Sequence, residues 1–246
     1  MIFFLIPVYN EASNLNNLYR ALTSWPSTED VHYVFSDDGS TDHSTKLITD
    51  LFAGKTFTIL GDGLNRGPGA AFNTGFEWIL KNSSPHDKVV TLEADCTSDL
   101  SILNVMLTLH GLGYDLVLSS VYAQGGGFDK TSFLRKFISA VANFMFRFLF
   151  DVKVLTLSSF YRIYSVALLK RIQVTFGNII TEPGFVCMLE ILVRSIHCEA
   201  KIIEVPMQLH SSKRIGPSNM KVLKTTLHYF RFLAKGKASV KLIVNC

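Results

Sequence analysis

Short apolar runs alternate with amphipathic stretches through the first half of the chain. Ile2 to Ile6, Val31 to Phe35, Thr56 to Leu60, Val89 to Leu92 and Asp115 to Ser120 read as strands. Most are continuous rather than alternating, which is the pattern of strands covered on both faces. Between them apolar residues recur at spacings of three and four. Leu15, Leu18, Leu22 and Trp25 form the face of a first helix capped by Asn10 or Ser13. A second helix runs from Ser40 or Thr41 to Phe52, a third from about Ala70 to Leu80 and a fourth from about Ser101 to His110. Pro7 should end the first strand. This alternation predicts an α/β fold with a mostly parallel central sheet and helices on both faces.

The second half is less regular. Tyr122 to Gly127 is a glycine-rich loop, and Thr131 to Phe150 has a helical period with many phenylalanines among Arg135, Ser139, Asn143 and Arg147. Such a face suits either a core or a membrane surface. Helices follow from about Ser165 to Ile172 and from Gly184 to Ile196. Glu190 falls in the apolar body of the latter, where a carboxylate must be paired, with Arg162 or Arg194, or functional. Ile202 to Val205 is a last strand ended by Pro206. Beyond it the chain turns basic, with Lys221, Lys224, Arg231, Lys235, Lys237 and Lys241 interleaved with Leu227, Tyr229, Phe230, Phe232 and Leu233. That is the composition of a helix lying on anionic lipid or of a solvated tail.

Composition narrows the class. The chain is 48% hydrophobic with a mean hydropathy of +0.26, yet has no run of roughly 18 apolar residues, so no spanning helix is expected. The net charge of +4 comes without a dense basic stripe in the first two thirds, which argues against a nucleic-acid partner. The four cysteines form no CxxC pair and no zinc spacing, so they read as thiols in a reducing compartment. The start of the chain lacks the pattern of a signal peptide. Without repeats or a low-complexity linker, the chain divides into one domain, 1–215, and a basic appendage, 216–246.

The chemistry sits where strands end. PVYNE follows the first strand, SDDGSTD (Ser36 to Asp42) the second, GDGLNRGPGAA the third, and Glu93 and Asp95 close the fourth. Ligands of open α/β sheets bind at that carboxyl edge. Two acids there are either caps of the next helix or oxygen ligands of a hard divalent ion such as Mg²⁺ or Mn²⁺. Asp37 and Asp38 suit ribose hydroxyls or a base edge. Gly61, Gly63, Gly67 and Gly69 permit close backbone approach to a diphosphate, with Arg66 adding charge beside them.

In this order the motifs resemble family 2 inverting glycosyltransferases of GT-A fold, and the later part resembles the dolichyl-phosphate mannose synthase branch. The corresponding stretches are SSVYAQGG from Ser119, Arg135 with Ser139 and Asn143, SFYR ending at Arg162, Glu190, and RIGPSN from Arg214 to Asn219. The resemblance reaches to about residue 225. It implies a nucleotide-sugar donor, GDP- or UDP-linked, a divalent metal, and a polyprenyl-phosphate acceptor, with the protein peripheral on the cytosolic face of a membrane and able to pair with a membrane-protein subunit. Glu93 and Asp95 would bind the metal. Pro7, Tyr9, Glu11, Asp37, Asp38, Arg66, Gly67, Ser139 and Arg162 would hold the donor and phosphate groups, and Asp95, Arg135, Glu190 and Arg214 would serve the chemistry. Departures from the branch pattern are Glu93 for Asp, Thr97 for Gln, Val121 for Arg, Phe160 for Gly and Asn219 for Lys; they thin the acceptor grip more than the donor site.

The implied reaction is in-line displacement at the anomeric carbon with loss of a nucleoside diphosphate. A lipid-phosphate acceptor is already an anion, whereas a sugar hydroxyl would need a base, with Glu182, Glu190 and Asp99 as candidates. Competing readings are a catalytically silent partner protein on the same scaffold and a nucleotidyltransferase. The latter would want a glycine-rich, basic loop after the first strand, and PVYNE is not one.

Overall fold

A computed structural model of the 246-residue chain describes residues 1–129 and 154–216, together with 225, 228, 229 and 232. Four βα steps open the chain: β1 (Ile2–Val8), α1 (Ala12–Ser24), β2 (Val31–Asp37), α2 (Ser44–Phe52), β3 (Phe57–Leu60), α3 (Pro68–Asn82), β4 (Lys88–Thr91) and, after a short 3₁₀ turn, α4 (Leu103–Gly111). Then come β5 (Leu116–Ser120), β6 (Gly127–Phe128), β7 (Arg162–Ser165), α5 (Val166–Phe176), α6 (Cys187–His197), β8 (Ile202–Pro206) and β9 (Gln208–Leu209).

Among the described residues seven strands form one sheet in the order β3-β2-β1-β4-β7-β5-β8, parallel except for β7, which pairs antiparallel with both β4 and β5. β1 explains why its run is apolar throughout. Phe3 and Leu5 enter one core with α3, α5 and α6, while Ile2, Phe4, Ile6 and Val8 enter the other with α1, α2 and α4. Gly75 of α3 lies directly over Leu5, where a β-carbon would collide with the leucine side chain, so the glycine lets helix and strand close together.

Two details depart from the pattern read along the chain. Pro7 does not end β1, which continues in register with β2 to Val8 opposite Asp37. The odd residues of β1 turn their backbone groups toward β4, as the bond from Leu92 N to Leu5 O shows, and β4 pairing stops at Leu5. The N–H that proline lacks therefore has no strand to meet. The second detail is β7, a four-residue strand at the sheet centre that runs straight into α5 and carries a charged residue; its sequence is too short and too polar to announce a buried strand.

No helix among the described residues is long and apolar enough to cross a membrane. Most of the basic appendage, and the segment holding Arg135, Ser139 and Asn143, lie outside the described residues. Within the appendage Tyr229 and Phe232 pack against the core, and the Tyr229 hydroxyl donates to Phe185 O (3.4 Å).

Candidate active site

The loops after β1 and β2 leave the sheet side by side and are laced together. Asn10 adopts a left-handed backbone (φ 55°), and its Oδ1 accepts from the amides of Thr41 (2.8 Å) and Asp42 (3.2 Å). In return the first donors of α1 are met by the other loop. Glu11 N donates to Ser44 Oγ (2.9 Å) and Ala12 N to Asp42 Oδ2 (3.1 Å). Helix α1 is thus capped in trans rather than by Asn10 or Ser13, and α2 begins at Ser44 with Asp42, not Thr41 or Ser40, accepting its first amide.

Asp37 and Asp38 sit at the sheet edge but differ. Asp37 is half-buried and accepts from Ser40 N (3.1 Å). Asp38 is buried and accepts from Arg66 N (2.7 Å) and Gly67 N (2.9 Å), stapling the second loop to the glycine-rich one. Burial pushes its carboxyl up, and the two amides partly offset this.

The glycine-rich loop corrects the diphosphate reading. Gly67 and Gly69 press against the backbone of Pro183 and Glu182, and Gly61 against Asp37, leaving no room for a β-carbon. The Gly69 amide donates to Pro183 O (2.7 Å), so the start of α3 is closed by its own chain. Arg66 points to the surface and pairs with Asp62 (2.7 Å). Gly61, Gly67 and Gly69 serve close packing of the chain on itself, Gly63 takes a left-handed turn in open space, and Arg66 and Gly67 bear on the site through their amides on Asp38.

Behind β4 the acids converge. Asp95 is only 4% exposed; its Oδ1 accepts from Thr97 N (3.0 Å) and Thr97 Oγ1 (2.7 Å), and its Oδ2 is ion-paired with the Arg214 guanidinium. Glu93 shares both neighbours, Thr97 by hydrogen bond and Arg214 by charge. Burial raises the Glu93 carboxyl, and the charge of Glu11 raises it further. Glu11 is raised by burial against the opposing effects of Asn14 and Arg214. Glu11, Glu93 and Asp95 thus share the field of one guanidinium, with Asp95 in direct contact with it. Arg214 arrives from the far end of the chain because Asn14 grips the next residue: Ile215 N donates to Asn14 Oδ1 (2.8 Å), and Asn14 Nδ2 donates to Ile215 O (3.1 Å).

This donor set fits a hard divalent cation in kind, since carboxylate oxygens from Glu93 and Asp95 are what such ions take. Among the described residues no group of three or more His, Cys, Asp or Glu is placed to hold a metal, and the two Asp95 oxygens are engaged by Thr97 and Arg214.

Two predicted site residues are elsewhere. Arg162 is fully buried under β7: Nε donates to Ser159 O (2.7 Å), Nη1 to Met188 O (2.8 Å) and Tyr164 OH (3.2 Å), and Nη2 to Leu157 O (2.7 Å). Its guanidinium is engaged by the chain before β7 and by α6. Glu190 is also structural. Its carboxylate accepts from Thr181 N (2.9 Å), Glu182 N (2.8 Å) and the Thr181 hydroxyl, and pairs with Arg194 (2.6 Å), leaving no lone pair directed at a reacting group. Phe160, the departure beside Arg162, fills core and stacks on Phe72 at 5.4 Å. Arg135 and Ser139 lie outside the described residues. Pro7 and Tyr9 lie at and just beyond the end of β1, beside the laced loops.

Asn14 is a functional neighbour that pattern reading missed, whereas Thr97, read along the chain as a departure from the branch pattern, is the partner of Asp95. Asn14 carried a signal: with Leu18 and Leu22 it lies on the buried face of α1, where a carboxamide needs partners.

Residues 3–173 match the family described as glycosyl transferase family 2. The chain is 27% identical over 219 residues to a polyprenol monophosphomannose synthase of Mycolicibacterium smegmatis, covering 88% of this chain and 79% of that one. It is 26% identical over 219 residues to an undecaprenyl-phosphate mannosyltransferase of Micrococcus luteus, covering 88% and 86%. A dolichol-phosphate mannosyltransferase of Pyrococcus furiosus is 25% identical over 233 residues, 93% of this chain but 61% of that longer protein. Among solved structures, glucosyl-3-phosphoglycerate synthase from Mycobacterium tuberculosis, in complex with Mn²⁺, uridine diphosphate and glucosyl-3-phosphoglycerate, superposes with a TM-score of 0.64 at 16% identity, covering 97% and 79%; the fold is shared.

Proposed function

The chain belongs to glycosyl transferase family 2, and from that premise we propose that it moves a sugar, with inversion, from a nucleoside-diphosphate donor to a polyprenyl phosphate. The observation that carries this reading is the meeting of Glu11, Glu93, Asp95 and Arg214 at the carboxyl edge of β1 and β4, beside the two laced loops. The names of the relatives, which act on polyprenol, dolichol or undecaprenyl phosphates, support the acceptor class.

The laced loops give the donor's nucleoside an edge of half-buried polar groups, with Asp37 as an acceptor for ribose hydroxyls. A divalent cation held by Glu93 and Asp95 would neutralise charge on the departing diphosphate. Thr97 orients Asp95 for that task, and Arg214, paired with the same carboxylate, supplies a second positive charge beside it. The acceptor phosphate oxygen attacks the anomeric carbon, the bond from that carbon to the donor phosphate oxygen breaks, and the electron pair leaves with the nucleoside diphosphate. An acceptor that is already ionised needs no general base. This agrees with the fate of two carboxylates considered for that role: Glu190 is fully engaged, and Asp99 caps Ser101 N (3.0 Å). The basic appendage, 216–246, would bring the protein to the cytosolic face of an anionic membrane, where such an acceptor resides.

The test is transfer of labelled sugar from a panel of GDP- and UDP-sugars to a short polyprenyl phosphate, with Mn²⁺ or Mg²⁺ and with chelator. Metal-dependent appearance of label in the organic phase is expected. Label reaching only water-soluble acceptors, or no transfer from any donor, overturns the reading.

A further inference from the structure

We propose that Asn14 is a positioning residue for Arg214, closing the last turn of the site onto the first; its catalytic part rests on the sugar-transfer function proposed above. Asn14 is 2% exposed, and its carboxamide makes three bonds: Nδ2 to Glu11 Oε2 (2.7 Å), Nδ2 to Ile215 O (3.1 Å) and Oδ1 from Ile215 N (2.8 Å). The pair of bonds to Ile215 copies the way one strand residue grips another, with a side chain in place of a backbone. Only a carboxamide of this length supplies both halves. Asp lacks the donor, Leu lacks donor and acceptor, and Gln is one methylene too long.

The residue gripped is the one after Arg214, in a turn whose Ser212, Lys213, Ile215 and Gly216 are exposed. Holding such a turn adds little core. On its other side the turn is fixed by Ser212 N donating to Asp129 Oδ2 (3.2 Å) and His210 N donating to Thr97 O (3.0 Å). Among the described residues Asn14 anchors the remaining side, beside the ion pair of Arg214 with Asp95 and a long contact from Ser13 Oγ to Ile215 O (3.5 Å). Arg is a long, rotamer-rich side chain, and a guanidinium contributes to charge stabilisation only where its position is set beforehand. The same carboxamide orients Glu11, so one buried side chain sets both a carboxylate of the first loop and the cation of the last.

The test combines amide hydrogen exchange with a double-mutant cycle, on the full chain. In Asn14→Leu the Ile215 amide should exchange at least about 10-fold faster while distant β1 amides stay protected. The kcat for sugar transfer should fall about 10- to 100-fold, with a smaller change in donor KM. In an Arg214→Met background the further change on adding Asn14→Leu should be less than about 2-fold, because the group being positioned is gone. Losses that multiply across the cycle overturn the proposal, since Asn14 would then act independently of Arg214. Unchanged Ile215 exchange overturns it whatever the kinetics. If Asn14→Leu does not fold, Asn14→Ala, which also removes the acceptor of the Ile215 amide, carries the same comparisons. Absence of sugar transfer by the wild-type protein sinks the function proposed above, and the exchange measurement still decides whether Asn14 holds the turn.

Discussion

Thr97 gives both its amide and its hydroxyl to one oxygen of Asp95, and so turns the other oxygen toward Arg214. The buried residue two positions on from the acid therefore fixes its rotamer. Such outer contacts commonly change metal affinity by about 10- to 100-fold. Thr97→Val, which keeps the amide bond, should weaken Mn²⁺ binding by about 10-fold, read by electron spin resonance of free Mn²⁺. Equal affinity in the variant would mean that Asp95 is not oriented through Thr97.

Asp95→Ala should abolish metal-dependent transfer while the protein stays folded, because the residue lies in the loop after β4 and the guanidinium it leaves, Arg214, is partly exposed to water. Thermal unfolding checks the fold and chelator-sensitive activity checks the role. Full activity in that variant with chelator present would remove Asp95 from the chemistry.

Glu190 gives the opposite expectation. Glu190→Leu leaves the amides of Thr181 and Glu182 and the half-buried Arg194 guanidinium without their acceptor, a loss on the order of 2 kcal/mol of stability. Urea unfolding reads it directly. A variant as stable as the wild type but inactive would restore the catalytic assignment that the geometry removes.

Arg162 should tolerate no substitution. Its four bonds run to three backbone carbonyls and a tyrosine hydroxyl, and a lysine cannot fork to all of them. Arg162→Lys should cost about 2 kcal/mol or more, and Arg162→Met more again, both measured by denaturant midpoints.

Two histidines set an acid limit. Burial lowers the pKa of His110, whose Nδ1 donates to Tyr114 O, and burial also lowers that of His32. For a group whose folded pKa is depressed, the unfolded chain binds more protons in the window between the two values. Stability is then fully present above the unfolded value near 6.5 and is lost as pH falls toward the folded ones. Urea midpoints should fall between pH 7 and pH 5, and His110→Gln should flatten part of that slope. A slope that the variant leaves unchanged would assign the effect to other groups.

What the chain determined by itself was the order of its parts. Apolar runs buried on both faces and helices of period near 3.6 are local properties, so the βα steps and the polar loops at their ends were legible, and with them the placing of Glu11, Asp37, Glu93 and Asp95 at one edge of a sheet. Tertiary structure decided which polar groups are free to act. A buried carboxylate or guanidinium looks the same in sequence whether its partners are chain or ligand, and only the fold shows that Glu190, Arg162, Gly67 and Gly69 are satisfied by the protein itself. The same holds for β7, a short strand carrying an arginine, and for the grip of Asn14 on Ile215 across 201 positions, because no local preference encodes a contact between the ends of a chain.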